Sequence, residues 1–345
     1  MILLEKYHRA CSPSSLQGPP VSRYRLSEAE LEAVEWLIDE VARTARDGER
    51  AWLDACRELH HLLPLPLLQS LSRYRRGEAE PVWVVSGLPI DQEGIGPTPE
   101  QYPSVLASPT LRETTWLALI ASAIGEPFTF RKHIQGARMV HDIMPLQGSE
   151  TQQLASSSRG ELFWHTEDAF HAFCCDFLGL LCLRNPTSTP TTLAVPAFEE
   201  LTEAQRGVLF EKRFYILPDE TVEGEEVDFP RELVSVLFGN RKHPFLRADP
   251  LYTQPREGDV EAWEALNAFF QVIERSQFQW VLMPGDLCLI DNYRAVHGRK
   301  PFRARFDGND RWLKRIFVTA DLRKSSSLRK SLSSPWIEGG GPLES

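Results

Sequence analysis

The sequence predicts an α+β fold, a β-sandwich or jelly roll buttressed by helices, and two observations carry that prediction. Amphipathic helices come first. After about residue 125 the chain turns into many short β-type segments separated by proline, glycine and serine clusters, with only isolated helices among them. The 345-residue chain is 42% hydrophobic, enough for a sizeable core.

Residues 1–26, with Ser-Pro-Ser-Ser and Gly-Pro-Pro, read as an irregular segment. Ser27 and Glu30 have capping-box spacing, and Leu31, Val34, Ile38 and Val41 form the apolar stripe of a first helix. A second helix is expected over about 49–62, stopped by Pro64 and Pro66. Val82–Val85 reads as a buried strand, and 110–124 as a helix closed by Gly125. Strands are then expected at 128–130, 138–144, 162–167, 176–183 and 192–195, followed by a helix over 196–211. Further strands at 213–217, 233–238 and 245–248 flank an acidic loop. A helix over 259–273 turns Trp263, Leu266, Phe269, Phe270 and Ile273 toward the core. Two strand regions end the series, 280–291, broken at Met283-Pro-Gly-Asp, and 312–320. The serine- and glycine-rich residues 325–345 read as a disordered tail, so 27–324 is expected to form one domain.

Composition excludes several functions. A net charge of −10 without a basic block argues against nucleic-acid binding. No window reaches the roughly 18 continuous apolar residues of a membrane span, and the start lacks the order of a signal peptide. Six cysteines without a CxxC pair read as free thiols of a cytoplasmic protein.

The chemistry begins at Glu161–His171. His165 and Glu167 stand two apart, so on a strand both side chains share a face and can reach one metal ion. An imidazole and a carboxylate are two parts of the 2-His-1-carboxylate triad of non-heme iron(II) oxygenases. His297, beside Gly298 at the end of a buried strand, is the candidate third ligand. Arg311 follows 14 residues later. With Arg315 it shares the parity of Leu313, while Trp312 and Lys314 face the other way. Two inward guanidiniums in an apolar strand call for anions, and two carboxylate-bearing small molecules would supply them.

These residues, with Leu183-Arg-Asn-Pro186, Thr191-Thr192 and Asp291–Gly298, resemble the clavaminate synthase-like branch of the Fe(II)/2-oxoglutarate oxygenases. The likeness is greatest to free amino-acid hydroxylases such as the viomycin-pathway arginine β-hydroxylase and asparagine oxygenase. It runs from about Arg131 to Leu322 with the motif order kept. The resemblance implies a double-stranded β-helix (jelly-roll) core, Fe(II) held by His165, Glu167 and His297, and 2-oxoglutarate and O2 as cosubstrates. It implies Arg311, helped by Thr192, at the distal 2-oxoglutarate carboxylate, and Arg315 at the substrate α-carboxylate. Glu167, Gln135 and Ser156 would meet the substrate amine and its surroundings, and Asp249 a basic side chain. The chain departs from the arginine hydroxylase at Leu251, where that enzyme carries a second acid, and Arg138 is unexpected near the pocket. Having Glu167 at the metal favours hydroxylation over halogenation, since related halogenases have a small residue there. A lid is expected at about 218–242, with Asp219, Glu220, Glu223, Glu225, Glu226 and Asp228 suited to a cationic substrate. Asp168 and His171 are expected to hold the ligand strand in place. The resulting expectation is hydroxylation of a free basic amino acid, at the β-carbon. Desaturation or cyclisation, a carrier-bound substrate, and a non-catalytic binding module are the alternatives.

Overall fold

The computed structural model describes residues 18–103, 108–218 and 232–338. In chain order the strands are β1 (Val21–Arg25), β2 (Val82–Ser86), β3 (Glu126–Phe130), β4 (Val140–Ile143), β5 (Leu162–His165), β6 (Phe177–Arg184), β7 (Thr191–Ala194), β8 (Phe214–Ile216), β9 (Leu237–Asn240), β10 (His243–Leu246), β11 (Thr253–Pro255), β12 (Gln277–Trp280), β13 (Leu287–Asp291), β14 (Val296–Arg299), β15 (Trp312–Thr319) and β16 (Trp336–Ile337). The α-helices are α1 (Glu28–Arg43), α2 (Glu49–Leu59), α3 (Leu65–Arg75), α4 (Leu111–Ile124), α5 (Glu203–Leu209) and α6 (Val260–Arg275). The architecture is mixed α+β with several sheets. Among the described residues no helix is long and apolar enough to cross a membrane.

Alternation along the strands builds two cores from one large sheet. Its order is β1-β2-β13-β6-β15-β3-β16, with β4 also paired to β15. Leu181, Leu287, Leu289, Trp312 and Ile316 point to one side, where they pack with Trp52, Trp116 and Leu117 of α2 and α4. Their neighbours Leu178, Leu180, Cys288, Ile290, Leu313 and Phe317 point to the other side and meet Leu193 of the second sheet, ordered β12-β7-β14-β5. Period two thus sends Arg311 and Arg315 inward between the sheets, as expected. Lys314 goes to the helix side, where its ammonium pairs with Asp142 at 2.8 Å in a buried contact. Trp312 Nε1 donates to the same carboxylate oxygen at 2.7 Å.

Ser27 caps α1 as the spacing suggests. Its hydroxyl accepts from the Glu30 N–H, and the Glu30 carboxylate accepts from the Ser27 N–H at 2.9 Å. Other local expectations need correction. Residues 21–25 form β1, an edge strand parallel to β2, rather than part of an irregular segment. Its Val-Ser-Arg-Tyr-Arg sequence is polar because it has only one neighbour to pack against. The helix expected over about 49–62 does end there, as α2 and the 3₁₀ turn 60–62, but a separate helix, α3, follows at once. Pro66 sits in the first turn of α3, where proline is tolerated. Trp263 is 37% exposed instead of facing the core, while Leu266, Phe269 and Ile273 are buried. At the far end, 322–328 is a 3₁₀ turn and β16 pairs in parallel with β3, so structure continues to residue 338 in the stretch read as a disordered tail. The large sheet therefore extends past both expected domain limits. The acidic residues of the expected lid lie in 219–231, outside the described residues. The five described cysteines, Cys56, Cys174, Cys175, Cys182 and Cys288, are buried free thiols.

Candidate active site

His165 is the last residue of β5, and Glu167 lies just beyond the strand. What brings the carboxylate back is a set of clamps on its backbone. The Thr166 N–H donates to the Ala248 carbonyl at 2.9 Å. The Glu167 N–H donates to Asn292 Oδ1 at 2.8 Å, and Asn292 Nδ2 donates to the Glu167 carbonyl at 3.1 Å and the Cys175 carbonyl at 2.9 Å. Asp168 then takes φ +49°, a left-handed conformation that Asp tolerates, and turns the chain away. Across the sheet, His297 of β14 is the register partner of His165.

The three side chains converge. His297 Nε2 is 3.1 Å and His165 Nε2 3.7 Å from the same Glu167 carboxylate oxygen. One donor atom from each residue lies within 4.8 Å of the others. His165 Nδ1 is 2.9 Å from the Phe163 carbonyl, to which its N–H can donate, and this contact turns Nε2 toward the cluster. Two neutral-capable imidazoles and a carboxylate in one buried corner match the donor set of a non-heme iron site.

Charge is concentrated here. Arg315 Nη1 contacts the second Glu167 oxygen, and Arg315 Nη2 lies 3.0 Å from His133 Nε2 and 3.2 Å from His141 Nδ1. Burial opposes ionisation of Glu167, but Arg315 and the two histidines outweigh it and hold the carboxyl well below its ordinary range. Burial also opposes the charge on His165, yet the Glu167 hydrogen bond and charge hold it up at about 9. His297 moves down, through burial and the neighbouring His165. Burial, then Arg315, brings His133 down to about 3. His141, stacked on His133 at 4.1 Å, is held well below its ordinary value by burial, His133 and Arg315. This pair is thus neutral and backs the guanidinium without competing for its anion.

Arg311, just before β15, is buried and lines the same cavity. Burial pushes it down to about 10, and its Nε has no partner among the described residues. Its Nη2 is 3.5 Å from Thr191 Oγ1. That contact corrects the expectation for Thr192. Thr191 is the register partner of Arg299 and Thr192 that of Gly298, so the two threonines face opposite sides of the sheet. Thr191 lines the cavity that also holds His165, Glu167, His297, Arg311 and Arg315. Thr192 packs behind β14, where its hydroxyl would be 2.8 Å from a Cβ added at Gly298.

Asp249 and Leu251 line the same cavity, as does Tyr252. One Asp249 oxygen accepts from the Leu251 N–H at 2.7 Å, which sets the turn that presents the carboxylate. Thr166 joins this turn to the ligand strand, since the Ala248 N–H donates to Thr166 Oγ1 at 3.2 Å. Gln135 and Ser156 are buried but are not among the cavity-lining residues. The Gln135 amide bridges the Asp142 backbone, donating to its carbonyl at 2.8 Å and accepting from its N–H at 3.0 Å. Ser156 sits beside Tyr102. Arg138 is likewise directed away, donating to the Tyr102 carbonyl at 2.9 Å. His171 stacks near Phe130, with ring centroids 4.4 Å apart, and accepts from the Phe173 N–H at 3.0 Å.

With this geometry established, comparison with known proteins is decisive. Residues 118–317 match the model of the taurine catabolism dioxygenase TauD, TfdA family. The chain belongs to the TauD/TfdA family. Among its relatives, an enduracididine β-hydroxylase of Streptomyces hygroscopicus is 38% identical, over 88% of this chain and 96% of that one. An L-ornithine/L-arginine 3-hydroxylase of Catenulispora acidiphila is 36% identical, over 77% and 84%. The non-heme iron oxygenase OrfP, solved with Fe and α-ketoglutaric acid, superposes with a TM-score of 0.86 at 38% identity, covering 91% of this chain and 99% of that one. The likeness to free amino-acid hydroxylases drawn from the motifs is borne out.

Sequence reasoning passes over the roles of Thr191 and Arg299, which line the cavity, and of Asn292, which clamps the Glu167 backbone. Asn292 was legible as part of Asp291–Gly298, but nothing in the sequence announces that its amide closes on Glu167, 125 residues away. Asn292→Ala is expected to weaken iron binding by about 10- to 100-fold, the usual cost of removing a group that orients a ligand. Anaerobic Fe(II) titration checks this, and an unchanged affinity would show that Glu167 is held without the amide.

Proposed function

We propose that the chain is an Fe(II)- and 2-oxoglutarate-dependent hydroxylase of a free basic L-amino acid, arginine or a close relative, acting at the β-carbon. The observation that carries this is one cavity lined by the donor set His165, Glu167 and His297, two inward arginines and the carboxylate of Asp249. The names of the relatives support the substrate class, enduracididine and arginine hydroxylases among them. The two sheets packed over a shared apolar layer support a double-stranded β-helix core.

His165, Glu167 and His297 would hold the iron. Arg311 would grip the distal carboxylate of 2-oxoglutarate, with Thr191 beside it. Iron with 2-oxoglutarate and O2 supplies oxidation of an unactivated C–H bond, with succinate and CO2 as coproducts. The residues of the chain supply orientation. Arg315, backed by His133 and His141, offers a guanidinium to the substrate α-carboxylate, while Glu167 offers a contact to the α-amine. A substrate held at both α-groups presents its β-carbon nearest the metal, and Asp249 balances a cationic side chain. The burial of Arg311 is then explained, because it meets an anion when the site is filled, whereas Arg315 already faces Glu167.

A panel of free amino acids with Fe(II) and 2-oxoglutarate, read by product mass and succinate, tests the proposal. Arginine or a related basic amino acid is expected to gain one oxygen and to outpace asparagine. Loss of two hydrogens would instead identify a desaturase, and preference for asparagine would remove Asp249 as the side-chain determinant.

A further inference from the structure

Arg299 is the third guanidinium of the cavity, beside Arg311 and Arg315 in its lining. It is buried, with 3% exposure, and shares the strand face of His297 two residues earlier. Its register partner is Thr191, the residue whose hydroxyl approaches Arg311. Arg299 and Arg311 therefore both line the cavity, each next to Thr191. The terminal nitrogens of Arg299 are fixed in place. Nη2 donates to Ser157 Oγ at 2.7 Å and Nη1 to the Lys300 carbonyl at 2.9 Å. Longer contacts reach the Ser158 and Gly160 carbonyls, at 3.4 and 3.3 Å. All of these partners are uncharged. The nearby Lys300 is itself paired with Glu161, at 2.5 Å. The Nε atoms of both Arg299 and Arg311 are buried without a partner among the described residues.

Two buried guanidiniums side by side repel each other and disfavour the empty site. A single carboxylate end bound at Arg311 would relieve both.

We propose that Arg299 is a specificity-determining positioning residue: its immobile charge beside Arg311 makes this part of the cavity select a 2-oxo acid that ends in a carboxylate. The inference rests on Arg311 as the anchor of the distal carboxylate. The loop contacts to 157–160 keep the second charge at a fixed place rather than letting it swing onto the ligand, so Arg299 sets the potential and Arg311 makes the grip.

The test compares 2-oxoglutarate with 2-oxopentanoate, which has the same chain length and no distal carboxylate. Binding to the anaerobic Fe(II) protein is measured by calorimetry for the wild type, Arg299→Lys, Arg299→Gln and Arg299→Met. The neutral variants are expected to bind 2-oxoglutarate at least about tenfold more weakly, a lower bound for one charge lost at close range in a low-dielectric site. Their 2-oxopentanoate affinity should stay at the wild-type value, and Arg299→Lys should retain most of the discrimination. Equal weakening of both acids would identify a loop clamp and overturn the proposal, as would no weakening of either. If neither neutral variant folds by circular dichroism, Arg299 is structural and the proposal also fails. Wild-type protein that binds no 2-oxoglutarate would overturn the anchor reading itself, a result distinct from unchanged variants.

Discussion

Glu167→Ala protein is expected to lose hydroxylation by at least ~10²-fold, the upper end of what even an outer-shell change costs at a metal site, and to lose stoichiometric iron. The carboxylate is the single anionic member of the cluster with His165 and His297. It is held ionised by Arg315 and the two imidazoles against the penalty of burial. Removing it leaves two histidines and a buried Arg315 whose carboxylate partner is gone. Breaking a buried pair in this way costs about 3–5 kcal/mol of stability, so the variant should also melt lower. Glu167→Gln separates the two effects, since it keeps the volume and an acceptor but not the charge. Iron content by titration and fold by circular dichroism check the result. A folded Glu167→Ala protein with normal iron and turnover would show that the metal lies elsewhere.

Arg311→Ala is expected to raise the 2-oxoglutarate requirement on the order of 10²-fold, because truncating one side of a buried, charge-assisted contact costs roughly 2–5 kcal/mol. Turnover at saturating cosubstrate should fall much less, since Arg311 does not touch the ligand triad. Arg311→Lys should recover part of the loss, as it restores the charge but not the bidentate fork. Steady-state kinetics in 2-oxoglutarate read both. An unchanged requirement would remove Arg311 as the anchor and, with it, the role assigned to Arg299.

Much of this site was legible from period and spacing. Inward Arg311 and Arg315, with Lys314 on the opposite face, follow from alternation along a strand that is buried on both sides. The convergence of His165, Glu167 and His297 was readable from residue types and motif order. Strand alternation alone does not place Glu167, since β5 stops at His165 and Glu167 is held by Asn292 and the Thr166–Ala248 contact. Thr191 and Thr192 show the limit of such reading. Adjacent identical residues differ only in register, and a one-residue slip moves a side chain to the other face. Gln135 enters only through the resemblance, which carries no information about its pairing with the Asp142 backbone. Edge strands β1 and β16 were missed because short, polar or isolated segments have no periodic signal of their own.

The most direct measurement is a reaction of the purified protein with Fe(II), 2-oxoglutarate and L-arginine under O2 labelled with the heavy isotope. Succinate and a singly hydroxylated arginine are expected in equal amounts, with the label in the new hydroxyl and the hydroxyl on the β-carbon by NMR. Succinate without modified arginine or any other basic amino acid, or a product whose oxygen carries no label, would contradict the assignment of this cavity as an amino-acid hydroxylase site.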